Sequence, residues 1–253
     1  PAVTVVIPTY NRSWGLRRAA ASVLGQTFPD VELVIVDDAS PDDTERVARE
    51  IAAADPRVRY HRQPANVGVA RNWGTGVALA RGPVVALLMD DDRYDPGFLA
   101  ARVAALGAHP EAAFAYAGYR VVDEAGGVVK RHRPARPAGQ VVTGPALLTA
   151  ALAQENFIGA TAYRAAALRA VWAAAEPAGL VVDFAANVRL AARPGAAAVF
   201  VGGEDFVQAA HPDQLSQARA DDVYAQTLGV YEDLLRSSLP RWGRRLVRHH
   251  AAY

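Results

Sequence analysis

The chain has 253 residues, 51% hydrophobic and 21% charged, which suits one large globular domain or two small ones. A formal net charge of +1 argues against a dedicated nucleic-acid binder, which carries a basic excess. The absence of cysteine excludes disulfides, a thiol nucleophile and a thiolate metal site.

The first residues, Pro1-Ala2-Val3-Thr4, lack a basic segment followed by an apolar one, so no secretory signal is expected and the cysteine usage fits a cytoplasmic location. No apolar run reaches the ~18 residues of a membrane span. Val3 to Ile7 is a fully apolar run and reads as a buried strand. It ends at Pro8-Thr9-Tyr10-Asn11-Arg12, because proline cannot donate to a ladder. A helix follows, with Ser13 as N-cap, an apolar face of Leu16, Ala20, Val23 and Leu24, and Gly25 as its stop.

Val31 to Val36 is the next strand and ends in Asp37-Asp38-Ala39-Ser40-Pro41-Asp42-Asp43. Ser40 as N-cap and Pro41 at the first helical position predict a helix there, which explains Asp42 and Asp43 as charges at a helix N-terminus. Asp37 and Asp38 precede the cap and have no such explanation. Residues 57–62 read as a short alternating strand. Asn66-Val67-Gly68-Val69-Ala70-Arg71-Asn72 opens a helix whose stripe is Val69, Trp73, Val77 and Ala80. A cation in the first turn opposes the helix dipole, so Arg71 is either a contact for an anion or an exposed arginine.

Val84 to Leu88 is again fully apolar and runs into Asp90-Asp91-Asp92. Ligands of open α/β sheets bind outside the carboxyl ends of strands, and clustered carboxylates suit a hard divalent cation. The alternative is a solvated acidic turn in which Asp92 or Asp95 caps the next helix. Two strands from different units both end in aspartates, and that convergence favours a site.

The second half predicts a helix over 97–107, a strand over 112–116, a hairpin over 119–130 turning at Glu124 to Gly127, a surface loop over 131–139 and a helix from Thr143 to Leu152. Then come a strand ending at Tyr163, a helix from Arg164 to Trp172, Asp183 ahead of a further helix, where it reads locally as an N-cap, and a strand over 196–201. His211 before Pro212 reads as a loop residue. Residues 221–253 are helical in pattern and basic at Arg241, Arg244, Arg245 and Arg248. That end reads either as a solvated helix or as a peripheral contact with an anionic acceptor or membrane surface.

Val-Val-Ile-Pro-Thr-Tyr-Asn-Arg (5–12), Glu-Leu-Val-Ile-Val-Asp-Asp-Ala-Ser (32–40), Asn66 to Asn72 and the aspartates after Met89, in this order, resemble the family-2 inverting glycosyltransferases of GT-A type. The resemblance covers roughly residues 2–216. It implies an α/β, Rossmann-like fold with a mostly parallel sheet flanked by helices. It divides the chain into a nucleotide-sugar-binding half (1–97), an acceptor-binding and catalytic half (98–216) and a helical tail (217–253).

By the same resemblance Pro8, Thr9, Tyr10, Asn11, Arg12, Asp37, Asp38 and Asn66 are implied around the nucleotide, and Arg71 at its base or diphosphate. Asp90 to Asp92 stand for the "DxD" motif, Asp90 near the ribose and Asp91 or Asp92 on Mg²⁺ or Mn²⁺. His211 is implied at the cation or diphosphate, and Asp183 as the catalytic base, although Val182 stands where family members often have Glu. Processive synthases of the family carry Gln-x-x-Arg-Trp; here Ser238 precedes Arg241-Trp242 by three positions, which disfavours that activity.

The implied reaction moves one sugar from a UDP- or dTDP-type nucleoside-diphosphate sugar to a hydroxyl of a small-molecule natural product or of a cell-surface glycan or lipid precursor. Two alternatives are a non-catalytic nucleotide-sugar-binding protein and a nucleotidyltransferase. The latter needs a glycine-rich basic phosphate loop, which Pro8 to Arg12 is not.

Overall fold

The computed structural model describes residues 1–211, 219–237 and 239–252. The first half alternates strand and helix: β1 (Val3–Thr9), α1 (Ser13–Leu24), β2 (Val31–Asp37), α2 (Thr44–Ala54), β3 (Val58–Arg62), α3 (Val69–Leu79) and β4 (Val84–Leu87). β1 pairs in parallel with β2 and β4, and β2 with β3. All seven residues of β1 and of β2 are buried, as their unbroken apolar runs require.

The second half adds β5 (Arg93–Tyr94), α4 (Phe98–Ala108), β6 (Phe114–Tyr116), the hairpin β7 (Tyr119–Val122) and β8 (Val128–His132), β9 (Val141–Thr143) and α5 (Gly144–Leu152). These are followed by β10 (Thr161–Arg164), α6 (Ala165–Ala175), α7 (Val182–Ala191), β11 (Ala197–Phe200), β12 (Phe206–Ala209), α8 (Ala220–Arg236) and α9 (Arg241–His250). One eight-stranded sheet runs β3-β2-β1-β4-β10-β6-β11-β9, and a four-stranded sheet runs β5-β12-β7-β8. β10 is antiparallel to β4 and β6, and β9 to β11, so the main sheet is mostly parallel.

Side chains alternate across the main sheet and build two cores. Val3, Val5 and Ile7 pack with Leu16, Val47 and Leu99 on one face. Val6, Val34 and Leu87 pack with Val77, Leu148, Trp172 and Val188 on the other. Val230 and Leu234 of α8, Leu239, and Val247 of α9 join this second core, so the C-terminal helices are anchored by apolar contacts while Arg241, Arg245 and Arg248 face solvent. Residues 165–191 have the length and composition of a membrane span, but they form α6 and α7 with a kink at Gly179 (φ 60°) between them, and their side chains fill this core.

Three local expectations are corrected. Ser13 is the first residue of α1 and not its cap; its N–H donates to Asp42 Oδ2, 3.1 Å away across the neighbouring loop. Ser40 does not cap α2, which begins at Thr44 after Asp43; its hydroxyl instead accepts the Asn11 N–H at 2.9 Å. Asp183 lies inside the first turn of α7, after Val181 at the cap position. For Ser13 and Ser40 a tertiary partner took the place of the local hydrogen bond that the sequence suggested. The strands β5, β9 and β12, of two to four residues, are too short to carry a periodic signal.

Candidate active site

The loops after β1, β2 and β4 meet at the carboxyl edge of the sheet because those strands are neighbours and parallel. Asn11 and Ala39 both adopt left-handed backbone (φ 56° and 58°), a conformation that costs a residue with a Cβ about 1 kcal/mol or more. The Asn11–Ser40 bond ties these two strained loops together. Pro8 and Thr9 are buried at the end of β1, while Tyr10 and Asn11 are exposed.

Asp37 and Asp38 are fully engaged by the protein. Asp37 is completely buried; its Oδ1 accepts the Ser40 N–H at 2.9 Å, and its Oδ2 accepts the Tyr60 hydroxyl at 2.7 Å and Arg62 at 2.5 Å. Asp38 accepts the backbone N–H groups of Val67 (2.7 Å) and Gly68 (2.9 Å) and so fixes the entry to α3. Gly68 has φ 86°, which glycine adopts without a Cβ penalty. Asn66 is exposed beside this anchor. Arg71 is exposed and pairs with Glu176 at 3.3 Å, on a groove between α3 and α6 that also takes in Gln63 and Trp172.

The three aspartates after β4 are not a solvated turn: Asp90, Asp91 and Asp92 are 5%, 6% and 2% exposed. Arg12 bridges Asp90 Oδ1 (3.2 Å) and Asp91 Oδ2. His211 Nε2 lies 3.0 Å from the same Asp91 Oδ2, Asp92 Oδ1 accepts the Ala209 N–H at 2.8 Å, and Arg18 donates to the Asp91 carbonyl at 2.7 Å. Asp95 caps nothing; its carboxylate pairs with Arg120.

Burial pushes the Asp90 carboxyl up to about 6 despite the pull of Arg12. Burial and the neighbouring Asp91 charge hold Asp92 well above the ordinary range. Burial alone would lower the Arg12 guanidinium, but Asp90 and Asp91 beside it outweigh burial and raise it.

β12 delivers His211 to this cluster. β5 continues the chain from the aspartates and pairs with β12, Phe206 opposite Tyr94, so the residues just after β12 return over the acidic run. The His211 ring meets Trp14 edge-on at 5.3 Å. The rest of the motif, Pro212 to Ser216, lies outside the described residues, as does Ser238.

Asp183 lies in the first turn of α7, a helix tied through Asn187 to the segment that leads into β10. Asn187, one turn further along α7 on the same face, donates to the Asn156 carbonyl at 2.7 Å and accepts the Tyr163 hydroxyl at 2.7 Å. Asn156 leads into the 3₁₀ turn Ile158–Ala160, which precedes β10; antiparallel pairing of β10 with β4 sets that turn beside the carboxyl end of β4. A Cβ on Gly159 of this turn would lie 3.0 Å from Met89, the neighbour of Asp90. Asp183 is half-buried, and burial raises its carboxyl above the usual range, offset in part by backbone N–H groups.

The donor chemistry fits a hard divalent cation. Two of the three buried carboxylates, Asp90 and Asp91, pair with one guanidinium, and among the described residues His211 Nδ1 is buried without a hydrogen-bond partner. Among the described residues no group of three acids and histidines is already gathered around one point. Such ions are often held by one or two carboxylates together with substrate phosphates, so the acidic run could hold one without a preformed cage.

Sequence reasoning missed Gly15 and Arg18, which stand at three-residue spacing after Arg12 on one face of α1. A Cβ on Gly15 would come within 2.4 Å of the Asp90 carbonyl, so only glycine lets the helix approach the acidic run. It also missed Tyr60 and Arg62, whose period-two spacing on β3 aims both at Asp37.

The profile of "Glycosyl transferase family 2" matches residues 4–171. The chondroitin synthase of Escherichia coli is 42% identical over 96 residues, which are 38% of this chain and 14% of that protein, so the chain spans a small part of this relative. The crystal structure of S. aureus TarS 1–349 in complex with UDP-GlcNAc superposes with a TM-score of 0.77 at 17% identity, over 99% of this chain and 71% of that one. The mannosyltransferase PcManGT from Pyrobaculum calidifontis, in complex with GDP-Man and Mn²⁺, gives a TM-score of 0.68 at 19% identity, over 99% and 69%. With the GT-A fold in place and the family profile matched over more than half its length, the chain belongs to glycosyl transferase family 2.

Proposed function

We propose that the protein is an inverting, metal-dependent glycosyltransferase that moves one sugar from a UDP- or dTDP-type nucleoside-diphosphate sugar to an acceptor hydroxyl. The observation that carries this reading is a buried acidic run at the carboxyl end of β4, and the reading adds to it a separate carboxylate, Asp183, whose affinity for protons is raised and which we take to face the same cleft. The donor lies against the loops after β1, β2 and β4. Thr9 to Arg12 and the 37–40 loop flank its nucleoside, with Asp37 and Asp38 holding loop shape more than touching ligand. Asp90 lies near the ribose.

Asp91, with Asp92 and His211, would hold Mg²⁺ or Mn²⁺, and the neighbours bound to UDP-GlcNAc and to GDP-Man with Mn²⁺ support that kind of ligand. The ion would supply charge neutralisation for the departing diphosphate. An acceptor hydroxyl is a weak nucleophile near neutral pH. Asp183 takes its proton as the oxygen attacks the anomeric carbon from the face opposite the leaving group, which inverts the configuration. A half-buried carboxylate with raised proton affinity is a better base than a solvated one. The acceptor is a small-molecule natural product or a glycan or lipid precursor. Incubation with UDP- and dTDP-sugars and Mn²⁺, followed by assay of nucleoside diphosphate release, tests the reading. Release of pyrophosphate instead, or no turnover with any donor, overturns it.

A further inference from the structure

We propose that Arg12 is the free protein's internal counter-ion for the acidic run, and that its guanidinium occupies the place the divalent cation takes and must be displaced by it. The inference rests on the metal-dependent reading above. Burying a carboxylate is costly unless it is paired, and here three follow one another. Among the described residues, Arg12 is the arginine whose guanidinium touches their carboxylates, through Asp90 Oδ1 and Asp91 Oδ2. Arg18 reaches only the Asp91 carbonyl, and Asp92 is met by a backbone N–H.

Asp91 Oδ2 is the crowded atom. It accepts Arg12 while His211 Nε2 stands 3.0 Å away. A Mg²⁺ or Mn²⁺ ion bonds a carboxylate oxygen at roughly 2.0–2.2 Å and uses the same lone pairs. An ion seated on that oxygen would meet the guanidinium at close range and be repelled by its charge, so metal and Arg12 compete for Asp91. Arg12 stands just before α1, follows the left-handed Asn11 and keeps 20% of its side chain exposed, so its guanidinium has solvent on one side to move into. The protein thus folds with its acidic run neutralised and gives up that pairing when the ion arrives. The cost of displacement weakens metal binding in the absence of nucleotide.

The test is titration of Mn²⁺ followed by its electron paramagnetic resonance signal, on wild type, Arg12→Ala and Arg12→Lys, first without nucleotide and then with UDP or dTDP. Close charge pairs are strong enough to shift affinity by about tenfold or more. Arg12→Ala is expected to bind Mn²⁺ alone at least about tenfold more tightly than wild type, and to lose thermal stability in metal-free buffer that Mn²⁺ restores. Arg12→Lys, which keeps the charge, is expected to stay within a few-fold of wild type. If Arg12→Ala does not fold without metal, Arg12→Gln keeps the stem and serves the same comparison. Equal or weaker Mn²⁺ binding in the uncharged variants overturns the counter-ion role. If wild type retains no Mn²⁺ even with a nucleoside diphosphate, the metal-dependent reading fails and the counter-ion role fails with it.

Discussion

Asp183 carries the sharpest residue-level expectation. Replacement by Asn should lower kcat by about 10²–10⁴-fold, the usual worth of a positioned general base, while the Kd for donor changes little. Its pH signature follows from the raised proton affinity. A base works only when deprotonated, so activity should fall as pH drops through the carboxyl's folded value. Because burial raises that value, the acid limb of kcat/KM should lie above the 3.8 of an ordinary aspartate. A limb at or below that position would remove Asp183 from the role. Asp38 is a contrasting case. Its two bonds to the 67–68 backbone predict that Asp38→Ala costs about 1–3 kcal/mol of stability, read as a lower denaturant midpoint even without ligand.

At the scale of elements, α1 is held against the acidic run by a glycine. Gly15→Ala should force helix and loop apart, at about 1–3 kcal/mol, and weaken Mn²⁺ binding with nucleotide present. Unchanged stability and binding would mean that α1 does not set the geometry of the run.

The opposite edge of the sheet shows a purely structural use of charge. Glu32 on β2 accepts Thr4 of β1 at 2.8 Å and Arg59 of β3 at 2.8 Å. Burial would raise its carboxyl, but the bonds from Arg59 and Thr4 outweigh burial and hold it below the usual range. Its stabilisation is therefore present above the ordinary value of 4.5 and is lost as pH falls through the lower, folded value. Glu32→Gln should reduce stability near neutral pH and flatten that part of the stability–pH curve, while donor affinity stays unchanged.

At the scale of the whole molecule, the unbroken apolar runs announced β1, β2 and β4, and the residues that end them announced the rim where the site lies. The hairpin of the second sheet was readable from its turn, but strands of two to four residues carry no period, so β5 and β12, and with them the path that brings His211 back to Asp91, were illegible in the sequence. The family resemblance supplied His211 and Asp183 as candidates. Residue spacing alone could not have placed His211 on the acidic run or α7 beside β10, because the contacts His211–Asp91 and Asn187–Asn156 bridge 120 and 31 positions. Asp37 and Asp38 illustrate the reverse limit: a strand-end acid looks the same in sequence whether it awaits a ligand or serves its own loop.

The central claim is that the rim binds a nucleoside diphosphate through a cation held by Asp91. Its most direct measurement is the melting temperature of wild type and Asp91→Ala with UDP or dTDP, in Mn²⁺ and in excess chelator. The account predicts a rise for wild type in Mn²⁺ that disappears in chelator and in Asp91→Ala; an equal rise in all three conditions would contradict it.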